Sequence, residues 1–146
     1  MDVKVKKLRP NATIPTKAHS SDAGFDLYCT GFDYPPSIDT MLFVEAKTDI
    51  ALEIPDGYVG LIFPRSSISN TRHMLRNSVG VVDSGYRGEI KLRFTIDDAD
   101  TKYKTGDKIG QIVFVKLPKI NLIESDLLSE ADRNTGGFGS TGKWMQ

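Results

Sequence analysis

One cysteine, two histidines and one tryptophan occur in 146 residues, and these scarcities exclude whole classes of chemistry. With Cys29 alone no intrachain disulfide can form, which fits a reducing compartment. No His or second Cys lies near it in sequence, so it reads as a half-buried strand residue rather than a reactive thiol. His19 and His73 lack metal-ligand spacing to each other or to Cys29. An excess of one charge is also lacking, since 19 basic residues balance 19 acidic ones. No overall field therefore attracts a polynucleotide or a membrane surface, and the short basic run at Lys6 and Lys7 reads as a solvated strand face. No stretch approaches the ~20 apolar residues of a membrane span, and the amino terminus lacks the apolar core of a secretory signal. The expectation is a soluble, cytoplasmic protein (host cytoplasm, if viral) that binds neither polynucleotide nor membrane.

Helical periodicity is scarce too. Residues 66–72 could form one or two turns, with Ser66 or Ser67 as cap, and residues 126–131 another. What the chain does have is short alternating or β-branched runs at 3–6, 25–29, 41–46, 49–54, 58–63, 79–82, 89–96, 108–117 and 120–123. Turn formers at Gly31, Pro35-Pro36, Asp56-Gly57, Ser84-Gly85 and Gly106 separate them. Many short strands in a chain the length of one domain argue for an all-β fold, a sandwich, jelly roll or barrel.

The end of the chain departs from this pattern. Residues 1–132 read as the body and 133–146 as a flexible glycine-rich arm. Gly136, Gly137, Gly139 and Gly142 alternate there with Asn, Thr, Ser and the single aromatic Phe138, behind Arg133. Glycine loses too much backbone entropy for such a segment to pack alone. Disorder explains the glycines but neither Phe138 nor Arg133. Gly137 to Lys143 also reads G-x-x-x-x-G-K, but Trp144 replaces the hydroxyl residue that would hold magnesium. No strand leads in and three residues follow, so this is not a nucleotide-binding P-loop.

Four segments of the body have chemical potential. Pro64-Arg65-Ser66-Ser67 follows an apolar strand, and is either a helix cap with a surface Arg or a phosphate cradle of N–H groups, hydroxyls and a guanidinium. Asp83, at a strand end before Ser84-Gly85, is either an Asx-turn residue or a carboxylate placed to take a proton from water. Gly80 in the same segment permits close approach of a ligand. Asp26 interrupts the apolar strand Phe25-Asp26-Leu27 and needs a cation or donors, an Arg being the common partner. Gln111, after the turn at Gly106, is a possible inward amide.

In this order the four segments and the tail resemble the five motifs of the trimeric dUTP pyrophosphatases (dUTPases). Residues 23–27, 64–67, 80–89, 106–111 and 133–142 match motifs one to five. The resemblance implies a jelly-roll homotrimer with active sites shared between subunits. The reaction would convert dUTP and water to dUMP and pyrophosphate, limiting dUTP and supplying dUMP for dTMP synthesis. Mg²⁺ would be held mainly by the triphosphate. Asp83 would be the base for the attacking water. Asn77 and the backbone of Gly80, Val81 and Val82 would read uracil, and Tyr86 would exclude a 2′-hydroxyl. Arg65, Ser66, Ser67 and Gln111 would hold phosphate oxygens, Lys91 would border the nucleotide, and Asp26 would reach magnesium through water. In the arm, Arg133 would meet the γ-phosphate, Phe138 would stack on uracil, and Gly139, Ser140 and Thr141 would wrap the phosphates.

Two departures from the motifs are Asn134, where glycine is common after the arginine, and Ser84-Gly85, where an acidic residue is frequent. A dCTP deaminase shares the fold, but needs a glutamate where Arg93 stands and a Phe in place of Tyr86. A third alternative is a dUTPase fold serving as a regulatory or binding module.

Overall fold

Alternating side chains give each strand one apolar face, and burying those faces against each other builds two stacked antiparallel sheets. The computed structural model describes residues 1–34, 43–95 and 103–137. Its strands are β1 (Lys4–Lys7), β2 (Phe25–Tyr28), β3 (Gly31–Asp33), β4 (Phe43–Glu53), β5 (Tyr58–Phe63), β6 (Met74–Leu75), β7 (Gly80–Val82), β8 (Glu89–Thr95) and β9 (Lys108–Lys116). One sheet runs β1-β4-β8-β6, with β3 also paired to β4, and the other runs β2-β9-β5-β7. In β8 the inward Ile90, Leu92 and Phe94 are at most 2% exposed, while Lys91 and Arg93 between them face out. The inward set meets Leu27, Ile109 and Ile112 of the second sheet in one core. The fold is the all-β, jelly-roll class expected from the sequence.

Several elements differ from the sequence reading, each for a local reason. The runs at 41–46 and 49–54 belong to one strand, β4, as far as its described residues extend. Their apparent gap is a bulge. Lys47 pairs with Lys91 and Ala51 with Glu89, so Thr48, Asp49 and Ile50 together oppose only Ile90. Asp49 takes a φ of 51° there, in the left-handed region that Asp tolerates better than most residues. Gly31 opens β3 rather than ending a strand. Residues 120–123 form no strand, and Ile120, Leu122 and Ile123 are 74, 92 and 80% exposed. Residues 126–131 form no helical turn; a turn lies just beyond, where Asn134 N donates to Ala131 O and Gly136 N to Arg133 O. Ser66–Asn70 is a 3-10 turn whose cap position is held by Arg65, not by Ser66 or Ser67, with no side-chain cap bond.

Cys29 is buried, its thiol donates to Gly31 O at 3.4 Å, and burial pushes its pKa up to about 11. A thiol so placed is a packing residue. Among the described residues no helix is long and apolar enough to cross a membrane.

Candidate active site

The turn that carries the chain from β7 in one sheet to β8 in the other borders a cavity of about 870 Å³. Asn77, Gly80, Val81, Val82, Asp83, Tyr86 and Lys91, all singled out in the sequence, line it. Strand β7 ends at Val82, so Asp83 leaves the ladder as the chain turns, and Tyr86 N closes the turn on Asp83 O at 3.1 Å. Among the described residues the exposed Asp83 carboxylate makes no hydrogen bond or ion pair. It is therefore open to a water or a ligand. Val81 is 65% exposed between buried Gly80 and Val82, so β7 turns the Val81 side chain to solvent and the Val82 side chain to the protein. Gly80 sits tightly, since a Cβ there would lie 3.2 Å from Ile62 Cβ and 3.3 Å from Asn77 Nδ2.

The outer face of β4 and β8 supplies charge to the same cavity. Glu45 Oε1 accepts from Lys91 Nζ at 2.8 Å, and Oε2 accepts from Arg93 Nε at 2.8 Å. The Lys91 hydrogen bond chiefly lowers the Glu45 pKa, and the same bond raises that of Lys91. Arg93 and Arg76 both lie over the Phe43 ring, at 5.3 and 4.9 Å. Glu45, Arg76, Glu89 and Arg93 were not read from the sequence as cavity residues. One signal was available: Glu45-x-Lys47 and Lys91-x-Arg93 place charged residues on alternate positions of two strands. Their register, however, emerges only from the β4–β8 ladder.

The remaining candidates form a second cluster. Asp26 pairs with Arg65 Nε at 2.9 Å and with Lys108 Nζ at 2.8 Å, one cation on each carboxylate oxygen. The Asp26 hydrogen bond raises the pKa of Lys108. Gln111 lies opposite Asp26 in the β2–β9 ladder, and its Nε2 donates to Pro64 O at 3.1 Å. That bond ties β9 to the turn after β5, where Ser66 and Ser67 are exposed. The two clusters sit at opposite ends of β5. Val82 pairs with Gly60, putting Asp83 near the level of Val59, whereas Ser66 follows Phe63. Four strand residues at ~3.3 Å each separate those levels by about 13 Å.

In the tail, Arg133 Nε donates to Gly136 O at 2.8 Å. Asn134 takes a φ of 41°, a conformation open to glycine and tolerated by Asn, so this departure from the motif preserves the turn. Phe138, Gly139, Ser140 and Thr141 lie outside the described residues.

The family model for dUTPase matches residues 10–142. The chain belongs to the dUTPase family. It is 39% identical over 144 residues to a deoxyuridine 5′-triphosphate nucleotidohydrolase of Hydrogenobaculum sp., covering 97% of this chain and 99% of that protein. The Staphylococcus bacteriophage 80alpha dUTPase, solved with dUpNHpp, superposes with a TM-score of 0.79 at 28% identity, over 97% of this chain and 99% of that one. A mutant dUTPase from phage phi11 of S. aureus, whose structure addresses coordination of a structural Mg(II) ion, superposes at 0.74 with 25% identity, over 89% of this chain and 100% of that one.

Proposed function

We propose that this dUTPase-family chain hydrolyses dUTP to dUMP and pyrophosphate. The observation that supports it most is Asp83, a carboxylate without a protein partner among the described residues, at the rim of a cavity shared with Asn77 and Tyr86. Water attacks the α-phosphorus, its proton passes to Asp83, and the bond from that phosphorus to the bridging oxygen breaks to release pyrophosphate. General-base help of this kind is typically worth ~10²–10⁴ in rate.

Asn77 and the backbone from Gly80 to Val82 read the uracil edge, while the Tyr86 ring occupies the space a 2′-hydroxyl would need. Lys91 borders the nucleotide. Arg65, Ser66, Ser67 and Gln111 contact the phosphates, Arg133 the outermost one. Phe138 stacks on the base, with Gly139, Ser140 and Thr141 closing around the chain of phosphates.

Mg²⁺, when bound with the triphosphate, offsets its charge and polarises the reacting phosphoryl group. Among the described residues no three His, Cys, Asp or Glu side chains cluster as a metal site. The donor set therefore fits a metal brought by the nucleotide. Asp26 already faces two cations and suits contact through water better than direct ligation.

The active unit is a homotrimer whose sites combine the Asp83 half of one chain with the Ser66 half of another. Two observations support it: the separation of the clusters along β5, and the uncovered apolar stretch with Leu117, Leu127 and Leu128, 48, 85 and 90% exposed. The compartment is read as cytoplasm, in keeping with a lone buried thiol.

Cytosine deamination fits poorly. Glu45 is a carboxylate in the cavity, but two cations hold it ionised, which removes the proton a general acid would donate. The deciding experiment is pyrophosphate release with Mg²⁺ from dUTP, UTP, dCTP and dTTP. Rapid turnover of dUTP alone is expected; no turnover of dUTP, or equal turnover of UTP, overturns the reading.

A further inference from the structure

Tyr86 is held from two sides. Its hydroxyl donates to the main-chain oxygen of Glu89 at 3.1 Å. On the other side a Cβ at Gly88 would collide with the ring and hydroxyl, so the ring lies directly on that glycine. The position of Tyr86 therefore depends on where the Glu89 backbone is fixed.

That backbone is held at the start of β8 by pairing with Ala51, and its own side chain adds a second tie across the bulge. Glu89 Oε1 accepts the Asp49 N–H at 2.9 Å, the amide that the β4 bulge leaves without a ladder partner. The bulge is itself anchored: Thr48 Oγ1 donates to Ile90 O, Leu8 N donates to Asp49 O at 2.8 Å, and Arg9 pairs with Asp49 at 3.4 Å. The second Glu89 oxygen stands 3.8 Å from Lys91 Nζ inside the cavity. Glu89 is only 17% exposed at its side chain, so water competes little for these contacts.

We infer that Glu89 is a positioning residue for sugar selection: it pins the Asp83–Tyr86 turn to the β4 bulge and so sets the depth at which Tyr86 meets the ribose. This rests on the reading of Tyr86 as the group that excludes a 2′-hydroxyl. A displaced ring leaves room for the extra oxygen, so UTP gains relative to dUTP.

The test compares kcat/KM for dUTP and UTP in the wild type, Glu89→Ala, Glu89→Gln, Tyr86→Phe and the double variant Glu89→Ala/Tyr86→Phe. Glu89→Ala should cut the dUTP-to-UTP ratio about 5- to 30-fold, the effect of one or two kcal/mol. Glu89→Gln, which keeps an acceptor for the Asp49 amide, should restore the ratio to within about twofold of wild type. The double variant should be no less selective than Tyr86→Phe alone, since both changes release the same contact. If Glu89→Ala does not fold, Glu89→Asp, too short to reach the amide but still charged, gives the same readout. An unchanged ratio in the folded Ala or Asp variant overturns the inference. So does a Gln variant as unselective as Ala, or a double variant whose losses multiply. A wild type that does not hydrolyse dUTP instead removes the underlying functional reading.

Discussion

Two aspartates interrupt the apolar pattern of this chain, and the fold treats them oppositely. Asp26 sits inside β2 with a cation on each oxygen, from Arg65 and Lys108. Asp83 sits one residue past the end of β7, exposed, without a partner among the described residues. A carboxylate inside a ladder loses water on both sides and needs a cation or donors as partners; one just beyond a ladder keeps its water. The first organises charge around the turn that carries Ser66, and the second is available to take a proton. Each half of the candidate site needs what the other has.

Replacement of the free aspartate should have the largest effect. Asp83→Asn is expected to lower kcat by ~10²–10⁴ while calorimetry still detects nucleotide binding and Tm is unchanged. Unaltered turnover would place the base elsewhere. Phe138→Ala comes next, with ~1–3 kcal/mol of stacking lost and KM for dUTP raised roughly 5- to 150-fold. Removing residues 133–146 should leave a folded body with little activity, and full activity after that truncation would refute an arm that closes the site. Asp26→Asn should act mainly on stability. It leaves two partly exposed cations facing each other, so Tm should fall by a few degrees, the opposite pattern to Asp83→Asn.

The smallest effect is expected at Glu45. Lys91 holds its carboxyl below the usual range, so its ionisation stabilises the fold at neutral pH. That contribution is lost as pH falls through the lowered value. In urea unfolding Glu45→Gln should be less stable than wild type at pH 7, and the two should converge in acid. A constant difference would separate the effect from ionisation.

Legibility followed the range of the interactions. Strands with alternating patterns, such as β8, and the segments around Asp83 and Arg65 could be located from neighbours in sequence alone. Where the deciding partner was distant, the pattern misled. Lys47-Thr48 looked like a gap because a bulge is defined only against β8. Strand β6, two residues long, is too short to show a period and exists through its pairing with Thr95 and Phe94. The run 120–123 has the composition of a strand but no ladder partner among the described residues. Glu45 enters the cavity only through cross-strand register, which no local motif encodes.

The pairing of two incomplete halves is open to one direct measurement. Asp83→Asn and Arg65→Ala chains are purified separately, each with little dUTP turnover, then unfolded together and refolded as a mixture. If the Asp83 half of one chain is completed by the Arg65 half of another, mixed assemblies contain some sites with both residues intact, and pyrophosphate release recovers well above the sum of the parents. If both halves belong to one chain, no site is ever whole, and the mixture stays as inactive as its components.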